Sequence, residues 1–333
     1  MSHIDPQVDP EVLADIRRAA FELRQTDPQE AVRLLRRAAA TGGGAEVLAR
    51  GALGEIYLEE FGDLDGAEHE FRAVLQAVPG LPAAELGLAR VLRESGDRRG
   101  ELQSLARAVE GLSRDVAGFR ERKADGEPLP AGAEEVVLTL LEVALDRARL
   151  DPDQRIEEDL LRWAAQERLF DALGEEDEEP QQDWVRFHSL WTQLRQLSGR
   201  PEEAARALAE AEEAGQLPAR DAAALRRDAL EETGDVEGAA AQARRVVELD
   251  SRGDGAGRGP AAIDVLRAAA LTAVAGDEKS ASEMLQGALA RAEAELPGAS
   301  PADRRAGLED AIRRYRDALL PEPGALISLG VKK

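Results

Sequence analysis

Few residue types in this chain could carry chemistry, and their spacing narrows them further. Its 333 residues include three histidines, His3, His69 and His188, and no cysteine. Without thiolates there are no disulfides, no iron–sulfur ligands and no cysteine nucleophile. The histidines lie far apart in sequence, with no H-E-x-x-H helix and no paired metal spacing. The segment Gly253-Asp254-Gly255-Ala256-Gly257-Arg258-Gly259 has the glycine content of a phosphate cradle. It follows a helical pattern rather than a strand and has no Gly-Lys-Ser/Thr, so it reads as an inserted loop. No G-x-S-x-G occurs. Carboxylate pairs are abundant, as any acidic chain makes them, and read as solvated helix faces. The expectation is a non-catalytic protein without metal, nucleotide or other cofactor.

The aromatic residues give a different signal. Trp163, Phe170, Trp184, Phe187 and Trp191 fall close together in a chain that is only 3% aromatic. Trp184, Phe187 and Trp191 stand at i, i+3 and i+7, which puts them on one stripe of a helix. Such a stripe is first of all a core-packing pattern. Its functional alternative is a hot-spot pocket for a partner peptide.

Charge sets the partner class. Lys and Arg number 43 against 66 Asp and Glu, a net charge of −23. A phosphate backbone is bound by neutralising it with cations. Here the cations are spread along the chain with no basic block, so nucleic acid and anionic membranes are not expected partners. Met1 to Pro10 has no basic or apolar leader pattern. No run reaches the roughly 20 apolar residues that span a bilayer. A soluble, cytoplasmic protein is expected.

The elements that must position these residues are helices. Leu48, Ala52, Leu53, Ile56 and Tyr57 recur at three- and four-residue steps, and Gly62-Asp63 ends that pattern. Ala67, Phe71, Val74 and Leu75 form a second apolar face, closed by Pro79-Gly80. The pair reads as two antiparallel helices around a tight turn. The unit recurs about Thr26-Asp27-Pro28, Gly96-Asp97, Gly199-Arg200-Pro201, Gly234-Asp235 and Gly276-Asp277. After five of these six turns comes an alanine, then an apolar residue, then a small or β-branched one. Ala204, Leu208 and Ala211 are an example. Small residues let the second helix approach its neighbours closely. Asp9-Pro10, Asp27-Pro28, Asp151-Pro152 and Ser300-Pro301 each offer an N-cap followed by proline.

This pattern resembles the tetratricopeptide repeat (TPR) family, whose 34-residue helix–turn–helix carries small and large apolar residues at fixed positions. Leu53-Gly54, Tyr57, Ala67, Phe71, Val74 and Pro79 match it, with one extra residue before the turn. The resemblance covers roughly 11–115 and 185–295. It departs in lacking the usual first-helix tryptophan. Three repeats also place the turn glycine nine positions after the first-helix leucine. The resemblance implies an all-α, right-handed α-solenoid of TPR-like repeats. The expected organisation is a three-repeat block over 11–115, a divergent hairpin with flanking loops over 116–183, and a second three-repeat block over 184–298. A capping helix over 300–320 and a flexible tail over 321–333 follow.

In that family the concave surface is lined by the first helix of each repeat. Counted from the first-helix leucines, those positions hold Arg90 and Arg93 in the third repeat, His188 and Arg195 in the fifth, and Arg220 and Arg227 in the sixth. A cationic lining would favour an acidic peptide or a C-terminal carboxylate. Arginines paired with nearby glutamates are the plainer reading. The dicarboxylate clamp of the family's chaperone-binding members uses asparagines, and this chain has none. The resemblance therefore implies an interaction adaptor that holds a partner protein or peptide in the groove. A self-assembling structural protein and a peptide-sensing regulator are the alternatives. Oligomeric state is left open. Leu326, Ile327 and Leu329 in the C-terminal tail are candidate docking residues, in cis or in trans.

Overall fold

A computed structural model describes residues 8–152, 158–170, 180–252, 262–277, 279–281 and 283–284. The capping helix, the tail with Leu326, Ile327 and Leu329, and the glycine-rich loop at 253–259 lie outside the described residues. Among those described, every regular element is helical. No helix among them is long and apolar enough to cross a membrane.

The chain divides into two compact units, before and after the Leu169–Phe170 peptide. The first begins with α1 (Pro10–Arg17), which widens into a π turn over Arg18–Leu23, and α2 (Pro28–Ala39). Next come α3 (Gly43–Ile56), widened likewise over Tyr57–Phe61, and α4 (Leu64–Ala77). They are followed by α5 (Pro82–Ser95) and α6 (Arg98–Ala124), then α7 (Ala133–Leu150) and α8 (Glu158–Gln166). The second unit holds α9 (Pro180–Leu197), α10 (Pro201–Glu213), α11 (Ala219–Thr233), α12 (Val236–Arg252) and α13 (Ala262–Val274). Consecutive helices pack together from α1 to α7 in the first unit and from α9 to α13 in the second. First helices also touch across the intervening one, α1 on α3, α3 on α5 and α9 on α11. That next-neighbour contact is what stacks hairpins into a helical repeat.

The expected boundary at residue 115 falls inside a helix. Val116 and Phe119 extend the buried stripe of α6 past that point, so the helix has no reason to stop there. α7 and α8 then both pack on α6.

The turns explain how the repeats stay in register. Gly96 and Gly234 end α5 and α11 at φ +81° and +75°, a conformation that costs glycine little. The aspartate that follows caps the next helix. Asp63, Asp97 and Asp235 accept hydrogen bonds from the backbone N–H groups of Gly66, Gly100 and Gly238 at 3.0, 2.9 and 2.9 Å. Asp27 and Asp277 do the same for Glu30 and Ser280, both at 3.0 Å. Each bond satisfies a donor that the first turn of a helix leaves open. Replacing Asp97 with alanine should lower stability by about 1 kcal/mol. Urea unfolding of the two proteins checks this, and coincident curves would contradict the capping role.

The extra residue in the second repeat has a structural explanation. The wide turn at Tyr57–Phe61 absorbs one added residue without breaking the helix. The apolar faces on either side of Gly62 therefore stay aligned with the core. Phe71 is fully buried there beside Ala67, Leu88, Val91 and Leu92. A methyl group added at Gly54 would come within 2.7 Å of its ring, and one at Gly87 closer still. The two glycines are the space that the ring occupies.

Candidate functional site

The concave surface lined by the first helices was the expected binding surface, and the solvent-facing, outward side of those helices carries the following charges. In the first unit Arg90 reaches Glu55 at 2.8 Å and also pairs with Glu59. Glu59 pairs in turn with Arg24, which holds Glu60 at 2.8 Å as well. Arg93 bridges Glu101 at 2.5 Å and Asp146 at 3.1 Å. A row of alternating charges thus links successive first helices, from the end of α1 through α3 and α5 to α7. Arg90 and Arg93 keep side-chain exposures of 42% and 50%, so both remain within reach of a partner. Exposed pairs of this kind add about 0–1 kcal/mol each to stability. The arginines meet two carboxylates apiece, so the row is mixed in charge and not uniformly cationic.

The second unit departs further from expectation. His188, Arg195 and Arg227 are buried, at 3%, 5% and 5% exposure, and cannot line an open surface. The cause is register. In α5 the first-helix leucine, Leu88, lies one residue nearer its turn glycine than Leu190 and Leu225 do. α3 takes up the same extra residue in its wide turn, whereas α9 and α11 stay α-helical to their ends. Counting from the turn glycine instead of the leucine moves the outward positions by one. They become Arg186, Ser189, Gln193 and Gln196 in α9, and Asp221, Ala224, Asp228 and Glu231 in α11, none of them buried.

Arg227 sits in a closed ionic network. It meets Asp228 at 3.0 Å and Asp264 at 3.5 Å. Arg267 donates two hydrogen bonds to Glu231, both 2.9 Å, and reaches Asp228 at 2.7 Å. Arg220 clasps Asp250 and Asp264, each at 3.0 Å. These contacts tie α11 to α12 and α13. The sequence pointed to acidic partners for these arginines without naming them, because acidic residues are too abundant there to single out one. The signal that could have found them is the repeat period, which sets Glu55 opposite Arg90.

The aromatic stripe is core. Trp184, Phe187 and Trp191 are buried, with Phe170 edge-on to Trp184 at 4.9 Å between ring centres. His188 lies between the two indoles, stacked at 5.6 Å on Trp184 and 6.4 Å on Trp191. Arg195 caps the stack, its guanidinium 3.9 Å from the centre of the Trp191 ring. Gln216, on the loop between α10 and α11, hydrogen-bonds the Nε2 of His188 at 3.2 Å. Burial holds the imidazole down to a pKa of about 4, against the pull of Gln216 and with help from the positive charge of Arg195. The stripe therefore anchors α9 and presents nothing to a partner.

Among the described residues no group of His, Asp and Glu is arranged to hold a metal ion. No family model matches the chain, and no curated protein matches it. Solved structures do. One is a tetratricopeptide repeat protein from Parabacteroides merdae, 14% identical, covering 91% of this chain and 98% of that one, with a TM-score of 0.37. Another is an assembly chaperone of RpL4 (Acl4, residues 1–338), 18% identical, covering 92% and 99%, also with a TM-score of 0.37. The chain is a TPR-like helical repeat, on the strength of its own hairpins, caps and next-neighbour helix packing.

Proposed function

We propose that this chain is a non-catalytic protein-interaction scaffold that holds a partner segment along the outward face of its first helices. The supporting observation is the row from Arg24 to Asp146. It presents half-exposed charges from four successive first helices in one line. A stack of hairpins offers such a surface with its backbone hydrogen bonds already satisfied, so binding costs little reorganisation. The partner is a protein segment with carboxylates able to share Arg90 and Arg93 with their present partners. The two arginines keep their geometry when the segment arrives, because Glu55 and Asp146 already hold them. The setting is the cytoplasm.

Site-directed photo-crosslinking in the source cell tests this reading. Crosslinkers at Ala83 and Leu86, on the outward face of α5, should capture a partner that crosslinkers at Arg72 and Gln76 on α4 do not. Charge reversal of Arg90 and Arg93 should remove that capture and leave helicity unchanged. Equal capture from α4, or none from α5, would reject the surface.

A further inference from the structure

We propose that α1 carries a second docking surface, built from Ala14, Arg17, Arg18 and Phe21, that takes an acidic amphipathic helix of a partner protein. It goes beyond the first-helix row, from which it is distinct in both position and chemistry.

Repeat geometry identifies the surface. Phe21, Ile56 and Val91 are equally spaced along the chain and hold the same place in three successive first helices. Ala19, Gly54 and Ala89 do likewise, and all three are buried, which confirms the alignment. In α3 and α5 the equivalent face is shut. Ile56 and Leu53 are each 1% exposed and cluster with Ala31, Leu35 and Ala38 of α2. Val91 and Leu88 cluster with Ala67 and Phe71 of α4. In both repeats, then, the occupant of this face is the second helix of the preceding hairpin. In α1 no described residue closes the same face. Phe21 is 83% exposed, and Ala14, Arg17 and Arg18 are exposed with it. A phenylalanine so exposed leaves apolar area in water that a partner can remove.

The occupant's chemistry follows from what differs between the open face and the closed ones. Where the closed faces carry Ala52 and Leu53, or Gly87 and Leu88, α1 carries Arg17 and Arg18. Neither arginine has an ion pair among the described residues, unlike Arg24, Arg50, Arg90 and Arg93. Seated here, an apolar helix would bury two unpaired cations. One whose small apolar ridge is flanked by carboxylates would cover Phe21 and neutralise both arginines together. The second helices of this chain supply a template. α4 presents Ala67, Phe71 and Val74 to its neighbours and keeps the carboxylate of Asp65 outside.

The test uses the full chain and a fluorescein-labelled peptide of residues 63–79, stapled between positions 68 and 72 so that it is helical. The peptide should bind saturably, and more weakly as salt rises. Phe21→Asp should weaken binding about ten-fold or more, as loss of a central aromatic anchor does. Replacing Arg17 and Arg18 together with glutamate should weaken it and flatten the salt dependence. Phe21 is exposed, so unchanged far-UV circular dichroism verifies that its variant is folded. Peptide exchanging into the seat of α4 on α5 would ignore both replacements. That result, or no binding at all, would overturn the proposal. Self-association of the peptide-free chain that Phe21→Asp abolishes, with no peptide binding, would also overturn it by assigning the face to a second copy.

Discussion

Phe71→Ala should destabilise the protein by about 3–5 kcal/mol, the range for removing a fully buried aromatic ring. The ring is 1% exposed and lies where α3, α4 and α5 meet. It fills the space left by two glycines, Gly54 and Gly87, on the two flanking first helices. Neither glycine has a side chain that could turn into the void, so the cavity should persist and the loss fall toward the upper end. Urea unfolding of the full chain, followed by circular dichroism, measures it. The complementary change, Gly87→Ala, forces a methyl group against the ring and should cost about 1–3 kcal/mol by overpacking. If Phe71→Ala leaves the transition where it is, the second and third repeats are not packed as described.

Stability should fall as the pH drops from about 6.5 toward 4, and His188 should account for about 3 kcal/mol of the loss. The sign follows from burial. In the folded chain the imidazole titrates at about 4, below its ordinary value of 6.5. Above 6.5 both folded and unfolded chains hold it neutral, and its contribution is fully present. Between 6.5 and 4 only the unfolded chain takes up the proton, so acid favours unfolding. About 2 kcal/mol of the loss should have appeared by pH 5. The groups facing the ring are Trp184, Phe187 and Trp191 of its own helix, Arg195 one turn further on, and Gln216 from the loop before α11. None supplies a carboxylate that would stabilise an imidazolium. The measurement compares unfolding free energies at pH 7.5, 6.5, 5.5 and 5.0 for the parent and His188→Gln, which cannot titrate. Equal slopes for the two proteins would show that the ring is not buried neutral.

Most of the architecture was legible in the residues. Leucine and alanine spacings mark each amphipathic helix, and Gly62-Asp63, Gly96-Asp97 and Gly234-Asp235 mark the turns. The reason is that helix periodicity, glycine in the left-handed region and an aspartate cap are local effects. Each acts over three or four residues and needs no tertiary partner. The aromatic stripe from Trp184 to Trp191 was legible on the same ground, as a face of one helix.

What surrounds that face, and which arginines stay exposed, depended on contacts between residues far apart in the chain. One extra residue before the turn can be taken up in two ways, and their consequences for the surface are opposite. In α3 a wide turn absorbs it and Glu55 stays on the outward row. In α11 the helix keeps its pitch, and Arg227 rotates into the network with Asp228 and Asp264. A leucine-based count cannot distinguish these outcomes, because both place the turn glycine at the same distance from the leucine. The pairing of Arg90 with Glu55 and of Arg93 with Asp146 is likewise a product of stacking. Sequence by itself determined the helices, their caps and the repeat. Tertiary packing decided on which side of the core boundary His188, Arg195 and Arg227 fall, because a shift of one residue turns a side chain by about 100° around its helix.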